Sequence, residues 1–204
     1  MATSKSVLIE IAGTDLEFLK DNQYMLCFAK KVNDSYDVVW QSYTEYLASN
    51  TFSWTPLYQL FGTNTFLASI QVQVDTNLVE IGLGETATLD KNGELGDAVT
   101  GGPSDAITFN NNFGPIHPGL NAISTGLTGV TSSTAIYVAP DSIETGTDTL
   151  IPVEKVQVWF AQNLTTSTMI SEDVTNAVEI DLTTANSATR LYQKGSWSTR
   201  PRRP

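Results

Sequence analysis

A two-residue alternation runs through the middle of this 204-residue chain. Phe66, Ala68, Ile70, Val72 and Val74 fall on one side of an extended backbone, and Leu67, Ser69, Gln71, Gln73 and Asp75 fall on the other. A helix repeats every 3.6 residues and would scatter these apolar side chains, so the spacing predicts a strand with one dry and one wet face. Gly62-Thr63-Asn64 offers a turn before it, and the aromatic-rich segment Leu57 to Phe61 can pair back on it.

The same period recurs along the chain. Val7, Ile9 and Ile11 alternate in a strand ending at Gly13. Gln23 to Lys31 and Tyr36 to Gln41 are rich in aromatic and β-branched residues, and Val32-Asn33-Asp34-Ser35 joins them as a hairpin turn. Val79, Ile81 and Leu83 continue the pattern up to a tight turn at Asp90-Lys91-Asn92-Gly93. Thr134 to Ala139, Val153 to Ala161, Val178 to Leu182 and Ala188 to Lys194 read as further strands. Ser42 followed by Glu45 makes a capping-box pattern, with Tyr43, Tyr46 and Leu47 on one side of a helical wheel, so a short helix is expected there, stopping near Asn50. Ser171 to Ala177 fits a helical turn.

About ten short strands separated by Gly, Asn and Pro clusters predict an all-β fold. The expected form is an antiparallel β-sandwich or barrel, a jelly-roll arrangement among the alternatives, with one short helix and long Gly/Asn/Pro-rich loops. One domain is expected over residues 1–195, followed by a basic C-terminal tail at 196–204. Between Gly93 and Gly129 the punctuation thickens, and only Ala106 to Phe109 reads as a strand. Loops this long are often functional, so a recognition surface is expected here.

Charge narrows the partners. Residues 1–189 hold 22 acidic against six basic residues, a formal −16, whereas the last fifteen carry Arg190, Lys194, Arg200, Arg202 and Arg203 with no acid, +5. An acidic body repels phosphate backbones, so nucleic acid is not an expected partner. The basic end would instead seek a carboxylate-rich face, its own or that of another copy. Arg200, Arg202 and Arg203 are therefore the candidate assembly residues of a homo-oligomer. The N-terminal residues lack the apolar core of a secretory signal and no run of 18 apolar residues occurs, which fits a cytoplasmic or leaderless protein without a transmembrane segment.

Chemistry finds little footing. Cys27 is the only cysteine, set in an apolar run, and is expected to be a buried thiol. His117 is the only histidine, so histidine-rich zinc sites are absent and no metal is expected. Asp90 to Asp97 resembles oxygen-rich calcium loops only faintly and reads as a turn with solvated carboxylates. Glu80, Glu85, Glu154 and Glu179 sit on or beside strands and are read as outward polar residues rather than a glycosidase pair. No phosphate-binding loop or dinucleotide fingerprint occurs, and no cofactor is expected. Asn163 to Ser171 shares the Ser/Thr-rich composition of hairpins inserted by pore-forming β toxins, but it is too short and irregular to act as one.

Aromatic residues remain. Trp40, Trp54 and Tyr58 are expected in the core. Trp159 falls on the polar parity of its strand and Trp197 lies in the polar end, so both are expected to be exposed for a partner. Together with Asn110, Asn112 and His117 in the long loops, they are the candidate ligand-binding residues. These features predict a non-enzymatic recognition protein, lectin-like or of the defence or toxin type, that binds a glycan or surface receptor. The alternatives are a self-assembling structural or storage protein held by its basic tail and, third, a carbohydrate-active enzyme.

Overall fold

The computed structural model describes residues 3–170 and 174–199. Its strands are β1 (Lys5–Ile11), β2 (Met25–Val32), β3 (Gln41–Tyr43), β4 (Ser49–Thr63), β5 (Val79–Ile81), β6 (Glu85–Leu89), β7 (Val99–Thr100), β8 (Ile107–Asn111), β9 (His117–Thr125), β10 (Thr131–Val138), β11 (Gly146–Leu150), β12 (Pro152–Ala161), β13 (Val178–Asp181), β14 (Ser187–Gln193) and β15 (Ser196–Thr199), with one helix, α1 (Gly13–Asp21). The molecule is all-β, as its alternation requires.

Three sheets share the strands. A seven-stranded sheet runs β10-β9-β4-β1-β14-β15, with β5 also paired to β4; two four-stranded sheets run β13-β12-β2-β3 and β11-β8-β6-β7. Most pairs are antiparallel, but β1 lies parallel to β14 and β6 to β8. One sandwich-like core takes Val7, Ile9, Phe52 and Leu60 from the first sheet, Leu26, Phe28, Val156 and Val158 from the second, and Leu89, Ile107 and Phe109 from the third. Phe28 stacks on Phe52 across the sheets at 4.3 Å between ring centres.

Three register shifts interrupt the ladders, one of them between Ala135 and Tyr137 where β10 pairs with β9. Between Trp54 and Tyr58 the register of β4 slips against β9, in a stretch containing Pro56, which has no N–H to give. Between Pro152 and Val156, β12 slips against β2.

The Val32–Ser35 turn forms as expected, with Asn33 and Asp34 at φ 49° and 66°, values that these residues tolerate and a tight hairpin needs. Other expectations fail for tertiary reasons. The long strand lies at Ser49–Thr63, before the alternating segment. Residues 66–75 form an irregular strip bonded to residues 167–169, with Phe66 and Val72 packed inward but Ile70 and Val74 44% and 41% exposed. Alternation there lacks a second sheet to bury it. Ser42 to Glu45 is not helical: β3 pairs with β2, and the Ser42 N–H is taken by Thr166 Oγ1. The helix instead occupies Gly13–Asp21, where Leu16 and Leu19, three residues apart, face the core. The long-loop region contains the nine-residue strand β9, whose glycine and proline hid it. Ser196–Thr199, expected in the tail, is strand β15 on β14. Arg200, Arg202 and Arg203 lie outside the described residues, as does part of the expected turn at Ser171–Ala177. Among the described residues no helix is long and apolar enough to cross a membrane.

Candidate functional site

Most residues singled out by the sequence are engaged inside the molecule. Trp159, expected to be exposed, is 1% exposed. It does lie opposite Val156 and Val158 on β12, but this sheet has two dry faces: the outer one carries Cys27, Ala29 and Trp159, buried together with Val39 and packed against Leu164, Ile170, Val174 and Ala177. Trp197 is half-buried, stacked on Phe160 at 5.6 Å and edge-on to Tyr192, with its indole N–H donated to Asn176 O. It anchors the last hairpin.

His117 opens β9, its Nδ1 lying 2.7 Å from Ala139 O and its ring beside Phe66. Asn110 accepts a hydrogen bond from Thr147, and Asn112 is exposed just beyond β8. None of these five lines either pocket described below.

The carboxylates divide by location. Asp90 accepts the N–H groups of Asn92 and Glu94, which hold its acid below its usual range and spend it on the turn. Glu179 joins a surface network with Lys31, Lys155 and the Tyr36 hydroxyl. Glu154, expected to point outward, faces the core instead, because it falls on the same two-residue parity of β12 as the buried Val156 and Val158. It meets Lys30 Nζ at 3.1 Å and accepts the Trp54 indole N–H at 2.7 Å and the Tyr58 hydroxyl at 3.4 Å. Every arm of this cluster is used internally. Among the described residues no group of three His, Cys, Asp or Glu is placed to hold a metal.

Two pockets present groups that the fold leaves unused. The first, of 410 Å³, is lined by Leu57, Tyr58, Glu80, Ile81, Gly82, Glu85 and Ile123 beside the β4 bulge. The second, of 360 Å³, is lined by Lys20, Gln23, Tyr24, Thr44 and Glu45.

The second pocket is built where α1 hands the chain to β2. The Asn22 side chain donates to Phe18 O, and Tyr24 N–H reaches back to Leu19 O, closing the helix end. Gln23 between them sits at φ 57°, the left-handed conformation for which glycine is the unstrained choice. Thr44 and Glu45 face it from the β3–β4 connection. Phe18, 60% exposed, stands beside it with its ring 6.3 Å from that of Tyr24, and Lys20 Nζ lies 5.7 Å over the Tyr46 ring. Among the described residues, no internal hydrogen bond occupies the Gln23 amide, the Tyr24 and Thr44 hydroxyls or the Glu45 carboxylate.

Sequence reasoning missed this site. Its residues come from two connections about twenty positions apart and share no periodicity; the one local hint, a polar residue in a glycine conformation, exists only in three dimensions. Compared with protein-family models, curated proteins and solved structures, the chain matches none.

Proposed function

We propose that this chain is a non-enzymatic recognition protein that binds a glycan, free or carried by a surface receptor, in the Tyr24 pocket. The carrying observation is the strained Gln23, whose unused amide lines a pocket with two free hydroxyls, a carboxylate and an ammonium beside exposed aromatic surface. Backbone strain at a non-glycine residue costs about 1–2 kcal/mol and gathers at sites where the side chain is needed. A sugar offers a flat C–H face for an aromatic ring and hydroxyls that donate and accept, which amide, hydroxyl and carboxylate groups answer in kind. Lys20 and Glu45 carry opposite charges, so the lining favours a neutral sugar over a strongly ionic one.

Gln23→Gly separates binding from architecture. It removes the amide and relieves the backbone, so the protein is expected to gain about 1 kcal/mol in stability while losing glycan affinity. Tyr24→Ala is expected to abolish binding on a glycan array and in calorimetry. An array on which the parent and Tyr24→Ala give the same profile rejects the reading.

A further inference from the structure

The 410 Å³ pocket beside the β4 bulge has a different chemistry. Its walls are Leu57, Tyr58, Ile81 and Ile123, its charges are Glu80 and Glu85, and among the described residues no basic side chain lines it. Leu57 is 49% exposed, and Leu78 and Leu83, which bracket β5, are 45% and 46% exposed, leaving an uncovered apolar rim. Glu85 Oε2 accepts the Gly82 N–H at 2.7 Å, and the exposed Glu80 carboxylate has no hydrogen bond or ion pair among the described residues.

We infer that this pocket receives the segment Arg200-Pro-Arg-Arg-Pro204 of a second copy of the chain. An arginine lays an apolar stem along leucine and isoleucine while its flat guanidinium forks onto a carboxylate, so one side chain answers both halves of the lining. Proline fixes its own backbone φ, so a segment with two prolines loses less entropy on docking.

Strand register shows why the partner is another copy. Thr199 pairs with Arg190, Arg190 with Ile9, and Ile9 with Asn50, so the chain leaves β15 level with Asn50. β15 runs parallel to β4, toward the pocket but three strands away, about 14 Å sideways. Along β4 the pocket at Tyr58 lies about 20 Å beyond Asn50 once the bulge is allowed for, a span of about 25 Å in all. Five extended residues reach about 17 Å, so the segment falls short of its own pocket. Each copy therefore offers one segment and one pocket on different parts of its surface, a head-to-tail contact that grows into rings or open chains.

The test is sedimentation of the full chain across concentration. The parent is expected to associate in about 20 mM salt and to dissociate in about 500 mM. Glu80→Gln and, separately, the triple variant Arg200→Ser/Arg202→Ser/Arg203→Ser are each expected to weaken association about tenfold or more. Mixed together, the two variants retain one intact contact, Arg segment into Glu80 pocket, and should form dimers only. A parent that stays monomeric in low salt overturns the proposal. So does a folded variant that associates like the parent, or a mixture that stays monomeric. Glycan binding at the Tyr24 pocket is untouched by these substitutions, so the two readings fail separately.

Discussion

Lys30 and Glu154 form a buried ion pair, Nζ to Oε1 at 3.1 Å, on neighbouring strands that both face the seven-stranded sheet. Lys30 is fully buried and also donates to Val153 O, and Trp54 of the opposite sheet adds its N–H to Glu154 and its ring face to the lysine at 5.3 Å. One carboxylate thus ties two sheets together. Burial depresses the lysine's affinity for its proton and the adjacent carboxylate partly restores it.

Removing one partner leaves the other charge stranded, which costs about 3–5 kcal/mol. Glu154→Gln is expected to lower unfolding stability in urea by about that much, although the amide still accepts from Trp54. Lys30→Met combined with it should cost less than the two single changes summed. The pH dependence follows in sign. A buried lysine with a depressed folded pKa binds fewer protons than in the unfolded chain, so stability rises with pH toward its unfolded value of 10.5. Without its carboxylate partner the depression deepens, and the deficit of Glu154→Gln should shrink as pH rises from neutrality.

Trp159 fills the outer cluster of its sheet. Trp159→Ala is expected to cost about 3–5 kcal/mol in chemical unfolding. Among the described residues its indole N–H is buried without a hydrogen bond, so Trp159→Phe, which removes that donor, should cost under about 1.5 kcal/mol. Equal losses for both would show that the covering segment does not pack as described.

Cys27 is fully buried, and desolvation pushes its thiol up to about 12. Native protein at pH 8 should resist a thiol reagent that labels it at once in denaturant. An acid kept neutral by folding contributes stability that is present below its unfolded pKa and lost above it. Between the ordinary value of 9.0 and about 12, the parent should therefore lose stability with rising pH more steeply than Cys27→Ala, by up to about 1.4 kcal/mol per pH unit.

Gly119 on β9 lies so close to the Phe61 ring that an added Cβ would overlap it. Gly119→Ala is expected to cost about 1–3 kcal/mol through overpacking. Coupling it with Phe61→Leu should recover part of that loss, and a thermal unfolding cycle with purely additive effects would contradict the contact.

Local chemistry sufficed where a decision was local. The alternation in β1 and along β12, the hairpin turn at Asn33-Asp34 and the buried thiol at Cys27 all follow from side-chain period, turn stereochemistry and an apolar run, and so does the all-β class. Tertiary structure decided whatever depended on what lies on the other side. Ile70 and Val74 alternate as cleanly as Val7 and Ile9 but meet no second sheet, whereas Trp159 sits at a polar parity yet is covered by a segment that local spacing does not reveal. Pairing with β2 drew Ser42 into a strand despite its helix cap, and the buried Lys30 on the neighbouring strand supplied the partner that lets Glu154 stay on the core face. Both pockets also belong to this second class. A period tells which residues share a face, but only the packed chain determines whether that face meets water, another sheet or another residue's unspent hydrogen bond.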